Sequence, residues 1–278
     1  MERYKMSYNP NEILSIVIQK GKSKATMPVY QTSALAFLAG AFIAIGYLAY
    51  IRVSGNLPAE WGGLPHFIGS CLFPIGLIFV LLGGGELVTG NMTVLGASFW
   101  AKEITIGQYA KNMLIVTLFN FFGSLFVAYF FGHVIGLTEG VFLEKTVEVA
   151  SGKINAGFVE AFISGIGCNW IVGMAVWLNF GTKSFSGRFL AIWFPIMIFV
   201  LIGFQHVVAN FFIIPAAIFV GELSWIDFFQ NVIPVWLGNL VGGAIFVGGI
   251  YTFTYWKQVE SSKTSSDVSL SQKRTYVS

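Results

Sequence analysis

An ionisable side chain inside an apolar stretch is costly and therefore informative. Three stand out here: Glu86, Glu160 and His206. His206 lies in the polar interruption Gly203-Phe204-Gln205-His206-Val207-Val208-Ala209-Asn210. Imidazole gains or loses a proton near neutral pH, so His206 reads either as a satisfied core group or as a proton carrier. Thr89 belongs to the opposing interruption, Gly84-Gly85-Glu86-Leu87-Val88-Thr89-Gly90-Asn91. Glu86 reads as an acceptor for backbone N–H groups of its own loop, and Glu160 as a structural hydrogen bond near the end of the fourth apolar span. Lys153 precedes that span in a loop, placed to attract an anion. A naked anion does not continue through an apolar pore, because idealised desolvation costs on the order of 20 kcal/mol; protonation removes most of that cost. A small acid anion drawn in by Lys153, protonated near His206 and passed on as the neutral acid is chemically coherent with these residues. Enzyme chemistry is not expected. His66 and His133 fall near the surface, no metal-ligand spacing is present and no cofactor is implied. Cys71 and Cys168 sit in apolar segments and read as small core residues.

These groups must be held by membrane helices. Of 278 residues, 55% are hydrophobic and only 10% charged, against about 25% charged in a soluble domain. No apolar-polar alternation of a membrane barrel is present, and the net charge of +3 gives no argument for nucleic acid. Apolar segments fall at 29–51, 66–101, 108–132, 156–180, 188–221 and 229–256. A span needs about 20 residues, so the second and fifth are too long for one straight helix. Each reads as two half-helices around a break, at 83–91 and 203–210. Irregular backbone at membrane depth is tolerated only inside protein or along a polar cavity, and half-helix N-termini aim partial positive charge inward. Residues 1–28 form an N-terminal segment whose helix, capped by Asn11, lies on the membrane surface. Residues 29–256 form the transport domain, and 257–278 a disordered tail.

Orientation follows from basic residues. With the N-terminus inside, the inner segments carry Arg3, Lys5, Lys20, Lys22, Lys24, Lys102, Lys111, Lys183, Arg188, Lys257, Lys263, Lys273 and Arg274, and the outer ones only Arg52, Lys145 and Lys153. A multi-pass protein of the cytoplasmic membrane, both termini cytoplasmic and in contact with lipid, is expected. The two halves also repeat. Phe73-Pro74-Ile75 matches Phe194-Pro195-Ile196, Ala36-Phe37-Leu38-Ala39-Gly40 matches Ala161-Phe162-Ile163-Ser164-Gly165, and Asn112, Asn120 and Gly123 match Asn231, Asn239 and Gly242. Three spans per half is an odd number, so the halves sit oppositely in the membrane, as an inverted repeat.

The two interruptions, with Gly165-Ile166-Gly167-Cys168-Asn169-Trp170-Ile171-Val172, resemble the signatures of the formate–nitrite transporter family. The likeness covers about residues 10–256. It implies an all-α, aquaporin-like fold of six spans, assembled as a homopentamer with a pore in each protomer, and passage of small monovalent anions such as formate, nitrite or hydrosulfide. By that likeness His206 is the pore histidine, Thr89 the loop threonine, Lys153 the vestibule lysine and Asn169 the pore asparagine, with Asn91 and Asn210 closing the breaks. The apolar constrictions fall on Phe73, Leu77 and Phe199 outside, and on Leu87, Val88 and Val172 inside. Gln205 stands where the family often has an acidic residue, and Val88 where it often has Phe. The stretch Leu87-Val88-Thr89-Gly90-Asn91 points to formate, with protons as the co-substrate. A neutral-solute channel on the same fold would instead place Asn-Pro-Ala at both breaks, and the chain's Asn9-Pro10 lies in the tail.

Overall fold

The computed structural model describes residues 6–260. The termini outside that range include Arg3, Lys5, Lys263, Lys273, Arg274 and most of the expected tail. Helix α1 runs Pro10–Ala25 and α2 Val29–Ser54. Then come α3 (Leu64–Gly84), α4 (Val88–Trp100), α5 (Ile106–Val134), α6 (Leu143–Ile154) and α7 (Phe158–Phe180). The described residues end with α8 (Phe185–Ile202), α9 (Val207–Phe219) and α10 (Trp225–Glu260). Six of these (α2, α3, α5, α7, α8 and α10) are long and apolar enough to cross a membrane. Helix α10 continues past 256, the boundary expected for the tail.

The breaks are real but shorter than the sequence suggests. After Gly84, at φ +103°, the chain is extended only until Leu87, and α4 begins at Val88. After Gly203, at φ +90°, it is irregular only until His206, and α9 begins at Val207. Thr89, Asn91 and Asn210 therefore sit in first helical turns and not in loops. The reason is capping. A helix start leaves N–H groups without partners. Asn120 Oδ1 accepts from Val88 N at 2.9 Å, and Asn239 Oδ1 from Val207 N at 3.0 Å. These asparagines let each half-helix begin as soon as the chain clears its glycine.

That pairing is one of a set duplicated between the halves. Asn91 Nδ2 donates to Glu86 and Asn112, and Asn210 Nδ2 to Gln205 and Asn231. Asn120 Nδ2 donates to the Ala36 carbonyl, and Asn239 Nδ2 to that of Gly165. The inverted repeat is thus visible as hydrogen bonds. It corrects one alignment: Ala36 corresponds to Gly165 and not to Ala161, one helical turn further along. The glycine contacts agree. A Cβ on Gly123 would meet the Phe37 carbonyl at 1.9 Å, and one on Gly242 that of Ile166 at 2.4 Å.

Helix α1 differs from expectation in two ways. Its N-cap is Asn9, in a reciprocal capping box with Glu12, and Pro10 opens the first turn. It also docks on protein: Ile13, Leu14, Val17 and Ile18 are buried against Val94, Ala97, Val176 and Trp177. Each such side chain is worth roughly 1.5–3 kcal/mol when buried. Gly21 lies against Ser98, whose hydroxyl donates to the Ile18 carbonyl at 3.0 Å. Large apolar residues such as Leu114, Phe122, Ile163 and Phe194 remain exposed on the outside of the bundle.

Three crossings separate α1 from α6, so they lie on opposite faces. The loop contacts respect this. Lys22 pairs with Glu103, and Ser7 bridges to Thr182, on the α1 face. Arg52 stacks on Phe142 on the α6 face.

Candidate functional site

His206 is the N-cap of α9. Its Nδ1 accepts from Ala209 N at 3.2 Å, and its Nε2 lies 2.8 Å from Thr89 Oγ1. An acceptor Nδ1 carries no proton, so the neutral ring holds its hydrogen on Nε2 and donates it to Thr89. Both side chains are buried. Thr89 comes from the first turn of α4 and His206 from the start of α9, so the two breaks meet at this bond.

On the α6 side of His206 lies a vestibule of about 430 Å³, lined in part by Tyr47, Tyr50, His66, Lys153, Phe204 and Asn210. Lys153 lies in the last turn of α6 and not in the expected loop, and its carbonyl accepts from Asn231 Nδ2 at 2.7 Å and Gln205 Nε2 at 3.2 Å. Its ammonium has no carboxylate within ion-pair distance among the described residues, whereas Lys145 and Glu148 on the same wall pair with each other. Loss of water around Lys153 lowers its proton affinity from the ordinary lysine value. The side chain keeps partial contact with the vestibule, which moderates the effect.

Phe73, Phe199 and His206 form the vestibule floor and also the roof of a second, smaller space. Phe73 and Phe199 pack edge to face at 5.7 Å. The space below holds about 10 Å³ and is closed by Ile43, Leu77, Leu87, Val172 and Ile196, room for about one water molecule. A larger apolar groove of about 810 Å³ between α5 and α10 carries no charged group, so the chemistry lies in the vestibule.

The structure brings Lys153, His206, Asn210, Phe73 and Phe199 to the vestibule, and Leu77, Leu87 and Val172 to the chamber. It does not bring Val88, Thr89, Asn91 or Asn169 to either lining; Thr89 meets the site only through its bond to His206. Val88 is held by Asn120, and Asn91 supports the first break. Asn169 Nδ2 donates to the carbonyls of Thr89 at 3.2 Å and Asn239 at 2.7 Å, tying α4 to α10, while its Oδ1 is buried without a partner. Glu86 does not serve its own loop's N–H groups. Its carboxylate meets Lys24 Nζ at 2.5 Å and Asn91 Nδ2 at 2.7 Å. Glu160 is exposed and closes the first turn of α7 by accepting from Gly157 N, so it is not at depth. The sequence reading counted Lys24 only among the inner basic residues, placed His66 only near the surface and did not single out Tyr47. For Lys24 one signal existed: a carboxylate in an apolar break needs a cation within reach.

Comparison with known proteins agrees with this geometry. The family model described as formate/nitrite transporter matches residues 11–253. The chain is 52% identical over 261 residues to the uncharacterized transporter YrhG of Bacillus subtilis, covering 94% of this chain and 98% of that protein. It is 48% identical over 256 residues to the formate channel BtFdhC of Bacillus thuringiensis, covering 92% and 99%. A solved pentameric formate channel with formate bound superposes with a TM-score of 0.72 at 28% identity, covering 82% of this chain and 98% of that one.

Proposed function

The chain belongs to the formate/nitrite transporter family, and on that premise we propose that it passes small monovalent anions, formate first among them, by proton-linked movement past His206. It is a multi-pass membrane protein and not an enzyme. One observation carries the reading: a vestibule with an unpaired lysine ends on two aromatic rings and a histidine whose Nε2–H points to a hydroxyl. Lys153 concentrates the anion in the vestibule. The chamber beyond has no charge to meet it, so the anion continues as the neutral acid. Nδ1 takes a proton from vestibule water and releases Ala209 N–H, and the Nε2 proton passes to formate; the ring then gives its Nδ1 proton back to that water and takes one on Nε2, so one proton in all goes from the vestibule to formate and the Ala209 bond re-forms. Thr89, Asn210 and the Phe73–Phe199 pair position that exchange, and Leu87 and Val172 bound the apolar passage after it.

The α1 face carries most of the described basic residues, among them Lys20, Lys22, Lys102 and Lys183. This supports a cytoplasmic α1 face and a location in the cytoplasmic membrane. Assembly as a homopentamer with one pore per protomer is supported by the pentameric relative.

The test is radiolabelled formate uptake by proteoliposomes, with and without an inward proton gradient, against nitrite, hydrosulfide and lactate. Uptake should rise with the gradient, and His206→Asn should lose that response. An H206N variant with unchanged rate and pH dependence would remove the relay and leave the pore. Transport of nitrite or hydrosulfide without formate would overturn the choice of substrate.

A further inference from the structure

The duplicated hydrogen bonds reach beyond the breaks to two lysines. Asn231 Nδ2 donates to the Lys153 carbonyl, and its repeat partner Asn112 donates through Nδ2 to the Lys24 carbonyl at 3.5 Å. The step from Lys24 to Lys153 equals that from Ala36 to Gly165, the pair fixed by Asn120 and Asn239. Lys24 is therefore the counterpart of Lys153, on the opposite face. The residue beside each lysine also corresponds: Glu86 in the first break, Gln205 in the second, each accepting from the matching asparagine.

The chemistry at these two equivalent positions differs by one charge. Glu86 neutralises Lys24 at 2.5 Å, and Asn91 holds its other oxygen. Gln205 has no charge to offer. Its Oε1 accepts from Asn210 and Asn231, and its Nε2 is turned to the Lys153 carbonyl. Near the vestibule Lys145 pairs with Glu148, and on the α1 face Lys22 pairs with Glu103. We propose that the Glu86/Gln205 difference makes the pathway electrostatically one-sided: anions are captured at Lys153 on the α6 face, while Glu86 masks the equivalent lysine on the α1 face. Replacing Glu86 with glutamine creates a second capture point. Replacing Gln205 with glutamate closes the first.

A passive pathway cannot build a gradient from such asymmetry. The half-saturating concentration and the maximal rate shift together on each face, leaving equilibrium unchanged. The proposal rests on the anion-passage reading above, and the experiment separates the two. Formate flux is measured in vesicles of both orientations at equal pH on the two sides. Orientation is assigned by labelling Glu144→Cys, on the exposed surface of α6, with a membrane-impermeant maleimide. Absence of saturable flux refutes the transport reading. The ratio of half-saturating concentrations between faces tests the asymmetry. At low salt the wild type should half-saturate at about three- to tenfold lower formate from the α6 face, and the gap should shrink as salt screens it. Q205E should abolish the gap, and E86Q with Q205E should reverse it. A second readout needs no transport. In detergent, formate should slow acetylation of Lys153 but not of Lys24, read by peptide mass spectrometry, and E86Q should extend protection to Lys24. Equal half-saturation from both faces in the wild type, or a ratio unmoved by the double exchange, overturns the proposal; so does formate protection of Lys24 with Glu86 in place.

Discussion

At the residue scale, His206 combines two tasks. Its Nδ1 caps a half-helix and its Nε2 reaches across to Thr89. The two tasks separate by substitution. Asparagine is a good N-cap and alanine is not, and losing a cap costs about 1 kcal/mol. His206→Asn should therefore unfold near the wild-type temperature, with His206→Ala measurably lower in a thermal scan in detergent, while both lose the response of uptake to a proton gradient. Equal stability of the two would remove the capping role. Lys153 makes a pH prediction. A lysine is cationic below its pKa, and burial lowers that value here. The half-saturating formate concentration should rise as pH on the α6 face climbs toward the lowered value, and Lys153→Gln should flatten that rise.

At the element scale, the bundle depends on backbone contact between helices. Gly40 and Gly123 join α2 to α5, and Gly238 and Gly242 join α10 to α7, with no room for a Cβ. Small residues at such crossings let helices approach closely. Overpacking costs about 1–3 kcal/mol and at times more. Gly123→Ala and Gly238→Ala should sharply lower the yield of monodisperse protein on size-exclusion chromatography. Gly83→Ala, which meets open space, should not. In the sequence, Gly40, Gly123, Gly165 and Gly242 stood out only as members of the repeat. Which carbonyl each one faces became visible only with the helices in register, and that register moved the α2–α7 alignment by a full turn.

At the scale of the whole molecule, α1 belongs to the helical body and is fastened at two places of different strength. Lys22 and Glu103 pair in the open, where an ion pair is worth about 0–1 kcal/mol, with Lys22 half exposed. Lys24 meets a Glu86 that is 4% exposed. Removing one partner of a buried pair costs about 3–5 kcal/mol, because the other charge is left uncompensated. Lys24→Ala should lower the unfolding temperature clearly more than Lys22→Ala. Restoring neutrality with Glu86→Gln in the Lys24→Ala background should recover most of the loss. An equal effect of the two lysine variants would show that Glu86 finds water or another donor.

Composition and segment length determined six membrane crossings and two broken spans, and the motifs shared by the two halves an inverted duplication. The reason is that lipid permits few solutions: every buried backbone polar group must be satisfied within the protein. The same cost made His206 and Glu86 conspicuous, since a titratable group in an apolar run has few reasons to be there. What each group does depended on partners far away in the chain. Glu86 answers to Lys24 across α1, and the half-helix N-termini answer to Asn120 and Asn239. Hydrogen bonds and ion pairs act over about 3 Å, and only the packed helices decide which side chains come that close.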